Sequence, residues 1–434
     1  MSKIFHIQPG GQLHGNIRVP GDKSISHRSI MLGSLADGVT EVSGFLEGED
    51  ALATLNAFRA MGVRIDGPEQ GQVTIHGVGI DGLRAPEGDL DVGNSGTSMR
   101  LLAGLLAGQS FTVTMTGDAS LSRRPMRRVA DPLTSMGARI ETQQDGTPPL
   151  TIHPVATLKG IQYDMPMASA QVKSALLLAG LYAAGETCVT EPAPTRDHTE
   201  RMLSGFGYPV RRNGATACVS GGGRLRACRI DVPADISSAA FFMVGAAIAP
   251  GSDITLTHVG INPTRIGVIN ILRQMGADIT LLAEREVGGE PVADLRIRYA
   301  PLHGIDVPED QVPLAIDEFP ALFIAAACAE GQTRLTGAEE LRVKESDRIQ
   351  VMADGLQTLD IKAEPTMDGI VIQGGQIGEG RIDSHGDHRI AMAFAIAGLR
   401  ASGDIVVGDC ANVMTSFPGF VELAAGVGLK IRTE

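Results

Sequence analysis

The stretch VPGDKSISHR, residues 19–28, places a lysine, a serine and an arginine directly after a glycine turn. Lys-Ser after glycine is typical of phosphate-binding loops, but a nucleotide P-loop requires G-x-x-x-x-G-K-[ST]. Here Asp22 separates Gly21 from Lys23, so the stretch is not a Walker A loop. We predict instead that it begins a helix whose amino terminus, with Lys23 and Arg28, holds a phosphate or a carboxylate.

A second group of reactive side chains lies in KESDR, residues 344–348. On a helix Lys344 and Arg348 would share a face, and Glu345 would lie beside Arg348. A solvated helix face with internal ion pairs is an equally good interpretation. Asp317 precedes an apolar helix and is either its N-cap or a carboxylate of a site. Two carboxylates among cations could act as base and acid in proton transfer on an anionic substrate.

The elements that would position these residues recur six times, with a period of about seventy residues. Each repeat has a helix of small residues, a β-rich run and a second helix ending near Met-Gly. The first helices are predicted to begin near Ser26, Thr97, Ser169, Ile236, Phe319 and His388. The β-rich runs are VTEVSGF, SFTVTMTG, ETCVTEP, SDITLTHV, QTRLTGA and DIVVGD. Asp360 stands in the fifth repeat where the others have a C-cap glycine.

Six α/β repeats are too many for one closed core in 434 residues. We therefore predict an α/β protein of two similar domains with three repeats each. The predicted domains are 20–232 and 1–19 plus 233–434. Polar helix starts would then line a cleft between the domains and bind small anions, although each start taken alone is an ordinary N-cap.

Composition limits the partners of this chain. Apolar residues make up 43% and charged residues 20%, which is typical of a folded globular protein. The net charge of −13 disfavours nucleic acid, yet Arg123, Arg124, Arg127 and Arg128 cluster as they would around a small anion. Apolar runs are too short to span a bilayer, and the start lacks the apolar core of a signal peptide. We expect a cytoplasmic monomer.

The five cysteines are scattered and contain no C-x-x-C pair: Cys188, Cys218, Cys228, Cys328 and Cys410. This spacing predicts neither a disulfide framework nor a zinc site, and the thiols are interpreted as buried or incidental. An H-x-x-H pair, His385 and His388, could in principle bind a metal, but a capping or substrate-side role is favoured.

Eight motifs in one order carry a resemblance that extends over essentially the whole chain: GDKSISHR, GNSGTSMR, RRPM, SAQVKSA, RDHTE, IDE, LRVKESDR and DHRIAM. The series resembles the 5-enolpyruvylshikimate-3-phosphate synthase family, and the VKSA and RDHTE forms are similar to its class II bacterial branch. The resemblance implies two domains of three βαβαββ units each, with the amino-terminal strand on the distal domain. It also implies transfer of the enolpyruvyl group of phosphoenolpyruvate to the 5-hydroxyl of shikimate 3-phosphate, with release of phosphate.

The resemblance further implies which residues bind the two substrates, and it implies no metal or organic cofactor. Shikimate 3-phosphate would contact Lys23, Ser24, Arg28, Ser169, Ala170, Gln171, Arg196, Asp317 and Lys344. Phosphoenolpyruvate would contact Lys23, Gly96, Arg124, Gln171, Arg348 and Arg389. Glycine suits position 96, because a residue without Cβ lets a ligand approach the backbone closely.

In the implied mechanism Asp317 accepts the proton of the sugar-ring hydroxyl. Glu345 or Lys23 protonates the methylene carbon of phosphoenolpyruvate, and a tetrahedral intermediate then loses phosphate. Cations would screen the negative groups, and closure of the domains on the substrates would align them. We therefore expect an open form without ligand.

Two features depart from the family pattern. Many members have a lysine where this chain has Thr415, before Ser416. Herbicide-tolerant class II members often have alanine at the position of Gly96, where this chain keeps glycine.

Two alternative functions differ from this resemblance in the residues that they require. The sister enzyme that acts on UDP-N-acetylglucosamine typically has a cysteine five residues before its loop arginine, and Ala119 stands there in this chain. A non-catalytic repeat scaffold would use the polar helix starts only as caps. It would not need Asp317, Glu345 and several arginines at corresponding starts.

Overall fold

The computed structural model describes residues 3–434, which fall into two compact units. The N-unit consists of Gly21–Val232 and Val287–Gly289. The C-unit consists of the described chain up to Pro20 together with Pro233–Glu286 and Glu290–Glu434. The domain bounds given above, 20–232 and 1–19 plus 233–434, stay a prediction about independently folding domains.

Two short strands open the described chain, and both belong to the C-unit: β1 (Phe5–Ile7) and β2 (His14–Ile17). The N-unit then contains, in chain order, α1 (Lys23–Leu35), β3 (Ala36–Ser43), α2 (Glu49–Ala60), β4 (Arg64–Glu69), β5 (Gln72–Val78), β6 (Leu90–Asp91), α3 (Gly96–Leu106), β7 (Val113–Thr116), α4 (Arg127–Ser135), β8 (Arg139–Glu141), β9 (Leu150–His153), β10 (Gln162–Asp164), α5 (Ala170–Gly180), β11 (Glu186–Thr190), α6 (His198–Gly205), β12 (Arg211–Asn213), β13 (Thr216–Ser220), β14 (Leu225–Arg226) and β15 (Arg229–Asp231).

The second half of the chain supplies the remaining elements. These are α7 (Ile236–Ile248), β16 (Asp253–Gly260), α8 (Gly267–Gln274), β17 (Asp278–Val287), β18 (Glu290–Arg298), α9 (Phe319–Ala327), β19 (Gln332–Leu335), α10 (Arg348–Thr358), β20 (Ala363–Pro365), β21 (Ile370–Gln373), β22 (Gly380–Asp383), α11 (His388–Ala397), β23 (Ile405–Gly408), α12 (Phe420–Gly426) and β24 (Ile431–Thr433). Within residues 3–434 no helix is both long and apolar enough to cross a membrane.

The strands of the described chain form six small sheets, one for each predicted repeat. The second repeat shows the common plan: its strands lie in the order β6-β7-β9-β8, with β6 parallel to β7 and the other pairs antiparallel. The third repeat has the equivalent order β10-β11-β13-β12. With their two helices these are βαβαββ units, and the β-rich runs predicted from the sequence are β3, β7, β11, β16, β19 and β23.

Other repeats are completed by strands from elsewhere in the chain. In the N-unit, β14 and β15 pair in parallel with β3, so the last strands of this unit complete the sheet of its first repeat. In the C-unit, β2 pairs in parallel with β16, and β1 lies between β23 and β24. The amino-terminal segment therefore completes the fourth and the sixth sheets.

The helices of each repeat differ in burial, and this difference follows from their composition. The first helices consist of small and apolar residues; in α7 every residue from Ile236 to Ile248 is buried, as expected for a helix that is apolar on all sides. In the C-unit α7, α9 and α11 pack against one another, and in the N-unit α3 packs against α5. The second helices are amphipathic and cover the outside, so each bundle of first helices forms a core.

The predicted C-cap glycines adopt the left-handed backbone conformation that ends a helix. Their φ angles are all positive, at Gly62, Gly137, Gly207, Gly276 and Gly428. Asp360 takes the same role in the fifth repeat, with φ of 62°. Aspartate tolerates this region better than most residues with a side chain, so the exception in the sequence does not change the fold.

The prediction that the cysteines are buried or incidental thiols without a disulfide is wrong for two of the five. Cys188 on β11 and Cys218 on β13 face each other directly in the sheet and form a disulfide. Sequence spacing gave no sign of it, because the two strands become neighbours only when the third sheet forms. Cys228, Cys328 and Cys410 are free thiols, and burial raises the pKa of Cys328 and of Cys410 to about 12.

Candidate active site

In the C-unit, three cations surround the carboxylate of Asp317. Its Oδ1 lies 3.4 Å from Nη1 of Arg348 and 3.7 Å from Nζ of Lys344. Its Oδ2 lies 4.0 Å from Nη2 of Arg389, which also donates from Nη1 to the backbone oxygen of Asp317 at 3.0 Å. Cations at such distances stabilise an ionised carboxylate. Glu318, not Asp317, occupies the N-cap position of α9, so the N-cap interpretation of Asp317 is wrong, and its role in a site stays a prediction.

Arg348 is the centre of this cluster. Its Nε donates to Oδ2 of Asp387 at 2.8 Å, and its Nη2 donates to Oε2 of Glu345 at 2.7 Å. Burial lowers the pKa of Arg348, but Asp387, Glu345 and Asp317 outweigh it and hold the pKa above its ordinary value. For Asp387 burial acts in the opposite direction and raises the pKa. Arg348, through its charge and its hydrogen bond, outweighs burial, so the pKa of Asp387 lies below its ordinary value. The guanidinium and this carboxylate are therefore a charged pair.

The helical interpretation of KESDR is wrong. A 3₁₀ turn ends at Val343, and α10 begins only at Arg348 with Asp347 as its N-cap. Lys344 and Glu345 thus lie in the connection before the helix. The predicted contact between Glu345 and Arg348 nevertheless exists, because the connection folds the glutamate back onto the first turn.

The start of α11 contributes a further part of the C-unit cluster. Asp387 caps this helix by accepting from the backbone N of Arg389 at 2.9 Å, and the same carboxylate holds Arg348. His388 contacts Oγ of Ser416 through Nε2 at 3.2 Å, and Asp387 rather than His388 is the N-cap of α11, so a substrate-side role of His388 stays a prediction. Thr415 is buried and donates its hydroxyl to the backbone oxygen of Asn412. A neutral, internally bonded side chain thus stands where the family resemblance implies a lysine in many members.

In the N-unit, the opening motif begins α1 as predicted. Asp22 caps the helix by accepting from the backbone N of Ile25 at 2.9 Å. Lys23 is the first helical residue, and its Nζ donates to Oδ2 of Asp50 on α2 at 2.7 Å. The ammonium group is therefore fixed beside the positively polarised end of a helix.

Gly96 lies directly beside two guanidinium groups. A Cβ built on this glycine would lie 3.0 Å from Nη1 of Arg100 and 3.3 Å from Nη1 of Arg124. Arg100 donates to Oε1 of Gln171 at 2.7 Å, and Arg124 donates to Oδ1 of Asn94 at 2.7 Å. The absence of a side chain thus leaves space beside two cations at the amino terminus of α3.

The other predicted residues of the N-unit lie on neighbouring helix starts. Ser24 is on α1, and its backbone oxygen accepts from Nη1 of Arg28 at 2.9 Å. Ser169 caps α5 by accepting from the backbone N of Val172, and Ala170 is the first residue of that helix. Arg196 is half-buried in the segment between β11 and α6.

Three residues that contact the predicted site residues were not themselves predicted to belong to the site: Asp50, Arg100 and Asp387. Arg100 bonds to the predicted ligand Gln171, Asp387 holds Arg348, and Asp50 holds Lys23. For Arg100 and Asp387 the signal was a charged residue within an otherwise apolar helix start. For Asp50 the sequence contained no signal, because α2 begins with two acidic residues as many helices do.

Similar structures define the class of this protein. The enolpyruvyl transferase NikO from Streptomyces tendae superposes with a TM-score of 0.81 at 16% identity, covering 100% of this chain and 99% of the other. The EPSP synthase from Acinetobacter baumannii superposes with a TM-score of 0.91 at 63% identity, covering 100% of both chains. The predicted α/β class and the enolpyruvyl transferase fold are therefore confirmed.

Sequence comparison identifies the family within that class. A family model described as EPSP synthase (3-phosphoshikimate 1-carboxyvinyltransferase) matches residues 7–423. The 3-phosphoshikimate 1-carboxyvinyltransferase of Methylococcus capsulatus is 72% identical over 428 residues, which are 99% of this chain and 98% of that protein. The chain belongs to the EPSP synthase family, as the motif series predicted. It is an enzyme, which excludes the scaffold alternative.

Proposed function

We propose that this enzyme transfers the enolpyruvyl group of phosphoenolpyruvate to the 5-hydroxyl of shikimate 3-phosphate and releases phosphate. The family and the identity to named 3-phosphoshikimate 1-carboxyvinyltransferases support this reaction. The observation that carries it is the cluster in which Lys344, Arg348 and Arg389 surround Asp317 with Glu345 at its edge. Both substrates are anions, and both need proton transfer.

Asp317 is the proposed general base that takes the proton of the acceptor hydroxyl. Its three cationic neighbours would stabilise the negative charge that a carboxylate needs in order to accept a proton. Glu345 or Lys23 is the proposed acid that protonates the methylene carbon. Glu345 is paired with Arg348, and Lys23 is paired with Asp50. Addition gives a tetrahedral intermediate with a methyl group. This intermediate then loses phosphate and one methyl proton, so that the double bond of the enolpyruvyl ether forms.

Substrate binding is proposed to follow the family motifs residue by residue. The shikimate 3-phosphate ligands are Lys23, Ser24, Arg28, Ser169, Ala170, Gln171, Arg196, Asp317 and Lys344. The phosphoenolpyruvate ligands are Lys23, Gly96, Arg124, Gln171, Arg348 and Arg389. The guanidinium groups next to Gly96 support the second set, because planar cations bind carboxylate and phosphate well.

The test is phosphate release from purified protein with both substrates, with mass detection of the enolpyruvyl ether and omission of each substrate as a control. Release that requires both substrates supports the proposal. UDP-N-acetylglucosamine serves as the alternative acceptor. Turnover with it and none with shikimate 3-phosphate would overturn the proposed reaction in favour of the sister activity.

We further propose that the enzyme acts in the cytoplasm as a monomer, without a nucleic-acid partner, metal or organic cofactor. Phosphorylated substrates cross membranes poorly because burying their charge is costly, so the enzyme should act where they are made. The Cys188–Cys218 disulfide would be unusual in a reducing compartment. Thiol trapping in intact cells, followed by mass analysis of this pair, shows which redox state the protein has there.

A further inference from the structure

The guanidinium of Arg28 is held by side chains from two other helices. Its Nε donates to Oγ1 of Thr199 on α6 at 2.7 Å, and its Nη2 donates to Oγ of Ser174 on α5 at 2.8 Å. The Thr199 hydroxyl donates in turn to Oγ of Ser174 at 2.8 Å. One edge of the guanidinium and two hydroxyl groups thus form a closed ring of hydrogen bonds.

The chemical nature of the two acceptors matters. The Nε and Nη2 edge of arginine is the edge that carboxylates bind in a bidentate way. Here neutral hydroxyls occupy that edge, so they fix the plane of the guanidinium without cancelling its charge. All three residues are buried, with 4% of Arg28, 1% of Thr199 and 0% of Ser174 exposed, so water does not replace these bonds.

A buried ion pair between the sequence neighbours of Ser174 and Thr199 holds the two hydroxyl groups in place. Nζ of Lys173 lies 2.8 Å from Oε1 of Glu200 and 2.9 Å from Oε2 of Glu191. Lys173 and Glu200 are each 2% exposed, and they immediately flank Ser174 and Thr199 in the sequence. Breaking a buried pair leaves an uncompensated charge, so the pair resists any sliding of α6 along α5. The SAQVKSA and RDHTE motifs meet at this point.

We propose that Thr199 and Ser174 are positioning residues that orient Arg28 toward the anionic acceptor substrate, and that Lys173 and Glu200 hold them in place. The proposal rests on the proposed function in taking Arg28 as a ligand of shikimate 3-phosphate. It gives a role to four residues of the SAQVKSA and RDHTE motifs that are not among the proposed substrate ligands: Lys173, Ser174, Thr199 and Glu200.

The experiment compares steady-state kinetics of Thr199→Val and Thr199→Ser. Valine keeps the shape and removes the hydroxyl, so the KM for shikimate 3-phosphate should rise about 10- to 100-fold, as expected for a lost hydrogen bond to a charged group. kcat and the KM for phosphoenolpyruvate should change by about twofold or less, and serine should restore the KM. A Thr199→Val enzyme with the original KM would overturn the proposal.

A double-mutant cycle separates this proposal from the proposed function. If Thr199 acts through Arg28, Thr199→Val should add nothing in an Arg28→Ala background. An Arg28→Ala enzyme with unchanged KM would remove Arg28 from the proposed ligands. A raised KM in Arg28→Ala with additive effects of the two changes would overturn the positioning role alone.

Thr40→Val is the matched control, because Thr40 on β3 is also fully buried in the N-unit and its hydroxyl has no hydrogen-bond partner among residues 3–434. It should leave both KM values unchanged. An equal rise in this control would show a general packing effect and overturn the proposal. If Thr199→Val does not fold, as judged by circular dichroism, Ser174→Ala takes its place with the same expected rise in KM and the same outcome against it.

Discussion

Asp387 and Arg348, both almost fully buried, are joined by a hydrogen bond of 2.8 Å between Oδ2 and Nε. The same carboxylate caps α11 through the backbone N of Arg389. One buried aspartate thus bonds the side chain of Arg348 at the start of α10 and the backbone of Arg389 in the first turn of α11. This arrangement leaves the Nη1 group of Arg348 directed at Asp317, so the proposed base is held by groups that cannot easily rearrange.

Replacing Asp317 by alanine should lower kcat by about 10²- to 10⁴-fold, the usual range for a lost general base. Binding of shikimate 3-phosphate should be partly retained, since other ligands remain. Steady-state phosphate release measures kcat, and calorimetry measures the binding of shikimate 3-phosphate. Asp306→Ala is a suitable control, because that carboxylate is 89% exposed and pairs with Arg334 at the surface. A near-normal kcat for Asp317→Ala would remove this residue from the mechanism.

Gly96→Ala should raise the KM for phosphoenolpyruvate about tenfold and that for shikimate 3-phosphate much less. The added methyl would lie 3.0 Å from Arg100 and 3.3 Å from Arg124, within the space left for an anion. Arg124→Ala should show the same preference. Gly426→Ala is the control, because a Cβ at this helical glycine meets no atom within 4 Å. Equal increases in both KM values would contradict the assignment of Gly96.

Acid should destabilise the protein through His27. Burial, then Lys23 and Arg28, hold the pKa of this histidine well below 6.5, and its Nδ1 contacts Oγ1 of Thr54. The unfolded chain therefore binds the proton first. This contribution to stability is complete above about pH 6.5 and is lost as the pH falls toward the folded-state pKa, by up to about 1.4 kcal/mol per pH unit.

Denaturant unfolding between pH 5 and 8 tests this dependence at about one-unit intervals. His27→Asn should flatten the part of the curve below the ordinary histidine pKa, since asparagine does not titrate. His6→Asn, at a half-buried histidine paired with Glu434, is the control for the loss of a histidine elsewhere. A curve for His27→Asn that coincides with that of the original protein would refute the prediction.

Loss of the Cys188–Cys218 bond should lower the free energy of unfolding by about 2–4 kcal/mol, because the bond closes a loop in the unfolded chain. Intact mass before and after reduction should differ by two hydrogen atoms. Thermal unfolding with and without reductant gives the stability change. The double variant with alanine at both positions should no longer respond to reductant, and a response that persists would place the effect elsewhere.

Thr333→Val should stabilise the protein by about 1 kcal/mol. The Thr333 hydroxyl is buried, lines a small apolar cavity with Phe319 and Phe323, and has no hydrogen-bond partner among residues 3–434. Valine fills the same volume in β19 without a polar atom. Thr114→Val is the control, because that hydroxyl contacts Thr151, and its loss should not stabilise. A lower melting temperature for Thr333→Val would contradict this account.

The sequence was most informative where structure is local. Helix starts, β-rich runs and C-cap positions follow from neighbouring residues, and the structure has them where the repeat predicted. Asp360 stands in place of a glycine and keeps the same backbone conformation. Its residue type alone does not indicate a helix end, but its position in the repeat does. The motif series was equally decisive for the family, because eight short segments in a fixed order rarely occur by chance.

Side-chain partners were less predictable. The contact of Glu345 with Arg348 was predicted from helical spacing, yet the segment is not a helix, so the contact arises from the turn before α10. Asp50 bonds to Lys23, and Thr199 bonds to Arg28. The two partners in each bond are far apart in the sequence. Nothing in their own segments distinguishes them from helix-start or cap residues.

By itself, then, the sequence determined the repeats, the helices and the family, since these depend on residues within a few turns of one another. The tertiary structure decided that β1 and β2 complete sheets of the C-unit and that β14 and β15 complete the first sheet of the N-unit. It also decided that Cys188 meets Cys218. Such pairings join strands through backbone hydrogen bonds that carry little sequence information, so they are fixed only when the sheets form around a common core.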